Sequence, residues 1–61
     1  MTRYIIKKKS TNVDLVESGS RERAEETLKS FLERTGKNRF DYCIEEIKGR
    51  QRRIVTEGST L

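Results

Sequence analysis

Histidine, proline and tryptophan are absent from this chain, cysteine occurs once, and aromatic residues make up only 7% of it. Each gap excludes something. One thiol, Cys43, cannot close an internal disulfide, and without histidine or a second cysteine there is no plausible zinc set. The chain has no imidazole to act as a base at neutral pH, no glycine-rich phosphate loop and no nucleophile with a base beside it, so catalysis is not expected. Glu45 and Glu46 are adjacent carboxylates, but in an extended segment they point to opposite faces and cannot act together on one bond. Cys43 in mid-strand reads as a small inert hydrophobe. No cofactor and no metal are expected. No apolar run approaches the ~18 residues of a membrane span, nor the layout of a signal peptide, so no membrane partner is expected. The lone thiol fits a reducing, cytoplasmic setting.

What is present is charge: 39% of the 61 residues are Asp, Glu, Lys or Arg, against 31% apolar, with a net charge of +4. A chain this short forms one domain and buries only about 60% of its unfolded surface, so its core is small and association with another chain would help it. The charges are of mixed sign and the apolar residues are periodic, which separates the sequence from disordered ones.

The spacing of Ala24, Thr27, Leu28, Phe31 and Leu32 predicts a helix from about Ser20 to Thr35. Ser18, Gly19 and Ser20 offer N-cap chemistry, Gly36 suits the left-handed residue past the C-terminus, and Glu25 can pair with Lys29. Arg3 to Lys9 and Val13 to Glu17 read as strands joined by Ser10-Thr11-Asn12, and Phe40 to Ile47 and Arg52 to Glu57 as a second hairpin broken at Gly49. The expected fold is α+β, with order ββαββ: a four-stranded antiparallel sheet carrying one helix, residues 2–57 ordered and 58–61 frayed.

Alternation assigns Tyr4, Ile6, Val13, Leu15, Phe40, Tyr42, Ile44 and one of Ile54 or Val55 to the helix side. Ile5, Val16, Cys43, Ile47 and the other of that pair, taken as Val55, fall on the far side, where no second helix exists to cover them. A contiguous apolar patch there would make a homodimer the expected oligomer, through sheet faces or an edge strand.

The element order also sorts the charges by end. Lys7, Lys8 and Lys9 at the first hairpin tip should share an end with Arg34, Lys37 and Arg39, and with Glu33 and Asp41 counted that end carries the whole surplus of +4. Lys48, Arg50, Arg52 and Arg53 around the second turn belong at the opposite end among acids, pairing with Glu45, Glu46 or Glu57. The first cluster is the candidate surface for an acidic protein or a nucleic-acid backbone. Aromatic interleaving is poor, since all four rings read as core, and no base-reading motif is present, so sequence-specific recognition is not expected.

In size, charge and ββαββ order the whole chain resembles very small proteins of bacteriophages and other mobile elements, among them some anti-CRISPR proteins. The resemblance rests on no sequence motif and transfers no functional residue. It implies a stoichiometric inhibitor of host nucleic-acid machinery whose partner is a protein or its nucleic-acid site.

Overall fold

A computed structural model describes residues 1–61 as an α+β fold in the expected ββαββ order. Strand β1 (Thr2–Lys8) turns into β2 (Val13–Ser18), helix α1 (Arg21–Thr35) follows, and β3 (Tyr42–Lys48) pairs with β4 (Gln51–Glu57). The sheet is antiparallel throughout, with strand order β2-β1-β3-β4. The two hairpins thus meet through β1 and β3, the strands richest in buried residues, and leave β2 and β4 as edges.

The helix begins and ends where its sequence signals stand. The Ser20 side chain accepts a hydrogen bond from the Arg23 amide at 3.1 Å, and Gly36, at φ 66°, donates its amide to the Leu32 carbonyl. A residue with a β-carbon resists that left-handed conformation, which is why glycine closes helices this way. Ala24, Leu28 and Leu32 are buried against Ile6, Tyr42 and Ile44, with Tyr4, Phe31, Val55 and Leu61 packed around them. Glu25 pairs with Arg21 and Thr56 instead of the expected Lys29.

Each edge strand carries one extra residue, and this changes which side chains face the helix. In β2, Val16 lies opposite Ile6 and Asp14 opposite Lys7, leaving Leu15 as a bulge. In β4, Thr56 lies opposite Ile44 and Ile54 opposite Glu45, leaving Val55 as the extra residue. Strict alternation across a bulge fails, because the extra residue resets the parity beyond it. Val16 and Val55 therefore belong to the helix side, not to the far face, while Ile54 takes the far side and is half exposed. Val13 and Leu15, expected in the core, are exposed.

Phe40 is corrected as well. Residues Arg39–Asp41 form a short 3-10 turn capped by Asn38, and β3 starts only at Tyr42, leaving the Phe40 ring 71% exposed. Beyond β4, where a frayed tail is expected, Gly58–Thr60 make a second 3-10 turn that packs on the first. A β-carbon at Gly58 would collide with the Arg39 carbonyl oxygen and lie 2.9 Å from that of Tyr42, so only glycine permits this approach. Arg39 donates to the Leu61 carbonyl at 2.7 Å and secures the turn. No helix is long and apolar enough to cross a membrane.

Candidate functional site

The pairing of β1 with β3 puts Lys8 opposite Tyr42 and Thr2 opposite Lys48, so the first hairpin tip lies beside the start of β3 and the second turn lies at the other end. Asp41 fixes the first tip. Its carbonyl accepts the Lys9 amide at 2.7 Å, and its carboxylate accepts the Ser10 amide and hydroxyl at 2.9 and 2.8 Å.

Within that basic end the three consecutive lysines part company. Lys7, opposite Cys43 and Asp14, points to the face away from the helix and pairs with Glu45 at 3.2 Å. Lys9 pairs with Glu57, whose hydrogen bond raises the lysine pKa above its ordinary value. Arg39 is engaged with the C-terminal turn. Lys8, Arg34 and Lys37 form no ion pair, and all three border one groove between α1 and β2. Of the six cations assigned to this end, three converge and three are engaged elsewhere.

The groove has a volume of about 400 Å³ and an apolar floor of Ile6, Leu15, Val16, Phe31 and Tyr42. Thr27, Phe31 and Arg34 reach it from the helix at i, i+4 and i+7, one face of two turns. The Phe31 ring stands edge-on to Tyr42, with centroids 5.4 Å apart and planes at 66°, so that wall is built before any ligand arrives. Sequence reasoning named the rim and put Ile6, Leu15, Phe31 and Tyr42 on the helix side, but sent Val16 to the far face. The bulge at Leu15 turns Val16 into the floor, and alternation gives no sign of a bulge.

The far face of the sheet tells a different story. Ile5, Cys43 and Ile47 are only 6%, 1% and 7% exposed although no second layer lies over them. Cross-strand register explains this. Cys43 lies between Lys7 and Glu57, Ile5 between Glu17 and Glu45, and Ile47 between Arg3 and Arg52, so every apolar side chain is flanked by long charged ones. Those charges then pair above the apolar groups: Arg52 with Glu45 at 2.8 Å and with Asp14 across the sheet at 3.5 Å, and Arg3 with Glu17 at 2.9 Å. Lysine and arginine stems cover apolar surface while their heads stay wet. The expected patch of Ile5, Val16, Cys43, Ile47 and Val55 is therefore not exposed as a unit, and the sheet-face argument for a homodimer lapses with it.

Glu45 is the centre of this cover. Burial opposes its ionisation, but hydrogen bonds from Lys7 and Arg52 outweigh that and hold the carboxyl below its ordinary range. Cys43 beneath is pushed up by burial, so its thiol stays protonated and unreactive. On the helix side, the Tyr4 hydroxyl donates to Glu46 at 3.1 Å; burial and that hydrogen bond together raise the tyrosine pKa.

At the opposite end, Arg53 pairs with Glu46 at 3.2 Å, while Lys48 and Arg50 are exposed and unpaired. The small cleft there, lined by Glu46, Lys48, Gln51 and Arg53, has no apolar residue. Comparison with known protein families, curated proteins and solved structures gives no match.

Proposed function

We propose that this chain is a small non-enzymatic binding protein that occupies a partner through its basic end, using Lys8, Arg34 and Lys37. The observation that carries this reading is the convergence of three cations, each without an ion pair, on the rim of one apolar groove. Lys7, Lys9, Arg52 and Arg53 are matched to carboxylates, and Lys48, though also unpaired, borders a cleft with no apolar residue, so it is the shared apolar groove that sets Lys8, Arg34 and Lys37 apart. Positive charge beside apolar surface suits an acidic protein partner, because charge steers and orients the encounter while apolar burial supplies affinity. The likeness in size and element order to small mobile-element proteins supports a setting in which the chain blocks host nucleic-acid machinery stoichiometrically. Capture from the native host with the wild-type chain, compared with a Lys8→Glu/Arg34→Glu/Lys37→Glu variant, tests this. A partner held by the first and lost by the second supports it; a partner held equally by both overturns it.

Phe40 favours a second reading. An exposed aromatic ring next to Arg39, at the end that also carries Lys37, is the arrangement that stacks on unpaired bases beside phosphate contacts. Retention on single-stranded DNA or RNA that falls steeply between about 50 and 200 mM salt, and that Phe40→Ala weakens, would support it.

A further inference from the structure

Resting on the reading of the basic end as a partner surface, we infer that the groove between α1 and β2 takes one bulky apolar side chain from an acidic protein segment. Carboxylates flanking that side chain then sit on Lys8, Arg34 and Lys37. The four clefts of the molecule differ in ways that single this one out. The far-face cleft is walled by Arg3, Asp14, Glu17 and Arg52, whose charges already answer one another. The cleft at the second turn and the one beside Asn38 and Asp41 offer little or no apolar surface. Only the α1–β2 groove joins an apolar floor to cations of one sign, at about 400 Å³, within the size range of sites that enclose a large side chain or small ligand.

The same geometry decides between classes of partner. A nucleic-acid backbone would satisfy the cations and leave the floor of Ile6, Val16 and Phe31 unfilled, and Phe31 is turned edge-on to Tyr42 instead of lying open for a base. Simple strand addition to β2 is also disfavoured, since the bulge at Leu15 interrupts the edge that would template it. What remains is insertion of a side chain from a segment bearing carboxylates, an anchor in a pocket with a charged rim.

The test uses a fluorescein-labelled peptide with a single Phe between two Glu-Glu-Asp runs. Companions replace its Phe by Ser or its acids by amides, and oligo-dT of matched charge serves as the nucleic-acid probe. Saturable binding of the parent peptide is expected. About tenfold weakening is expected for the Phe→Ser peptide, for Leu15→Glu and for Lys37→Glu, with Ile54→Glu on the far face unchanged. Both residues at the groove are exposed, and far-UV circular dichroism checks that each variant stays folded. Equal binding of the Phe and Ser peptides overturns the anchor while leaving the basic-end reading intact. Binding of oligo-dT but of no peptide overturns the proposal in favour of nucleic acid. Failure of every probe overturns this proposal, whereas the basic-end reading stands or falls on host capture.

Discussion

On one side of the sheet, Ala24, Leu28 and Leu32 of the helix close over Ile6, Tyr42 and Ile44; on the other, Ile5, Cys43 and Ile47 lie nearly as deep with no element above them. The first side is covered by close-packed carbon. The second is covered by the side chains of its own strands, arranged so that acid and base meet over each apolar group. The contrast shows how a chain with a single helix can shield two faces of one sheet. It also explains the high charge content, because much of that charge serves as cover and not as a binding surface. Among the charges that form no ion pair, Lys8, Arg34 and Lys37 gather on the helix side around the groove between α1 and β2.

The largest expected difference between the faces is in packing. Leu28→Ala removes a fully buried side chain from the helix-covered side and should cost about 2–5 kcal/mol, a loss that a domain of this size can hardly tolerate. Ile47→Ala, flanked by the long side chains of Arg3 and Arg52 that can settle into the gap, should cost about 1–2 kcal/mol. Urea unfolding followed by circular dichroism compares them, and equal losses would erase the distinction.

Next comes the shared carboxylate. Glu45→Gln leaves the shape but removes the charge that Lys7 and Arg52 share, and should cost about 1–2 kcal/mol. Glu33→Gln, on the exposed helix surface, should change stability by less than about 0.5 kcal/mol in the same assay.

Acid should act on the same group. Glu25 is held low first by the hydrogen bond from Thr56 and also by Arg21, and Glu45 by Lys7 and Arg52 against the opposing effect of burial. A carboxyl with a lowered folded pKa contributes stability that is complete above its ordinary value of 4.5 and is lost as pH falls through the folded value. Thermal midpoints should therefore drop on acidification below 4.5, and Glu45→Gln should flatten part of that fall. A variant with an unchanged acid profile would show that Glu45 carries none of it.

The smallest effect belongs to the groove. Lys37→Glu should leave stability within about 0.5 kcal/mol of wild type, since Lys37 is exposed and unpaired. A clear loss of stability would give this lysine a structural role and weaken its place in a binding site.

Much of this architecture could be read from the sequence. The helix with its Ser20 and Gly36 caps, the two hairpins, and the placement of Lys7–Lys9 away from the second turn all follow from local signals: helical spacing, capping residues and turn residues. Strand order could not be read locally, because it depends on which hairpin edges meet. The bulges at Leu15 and Val55 were invisible for a related reason. A bulge costs one residue of register and leaves no mark in composition, yet it moved Val16 and Val55 to the helix side and shaped the groove floor. Phe40 was misplaced because an apolar residue before an apolar strand looks like its first residue; the Asn38 cap ends that reading. Alternation placed Ile5, Cys43 and Ile47 on the far face, where they lie, but could not show that their charged neighbours would fold over them.

The most direct test of the account maps the acidic Phe peptide onto the ¹⁵N-labelled protein by amide chemical-shift changes. The account predicts saturable shifts centred on Leu15, Val16, Phe31, Arg34 and Lys37, with Ile5, Cys43 and Ile47 unmoved. Shifts centred on Ile5, Cys43 and Ile47 would contradict it, because the face described as closed by its own ion pairs would then be the one that binds.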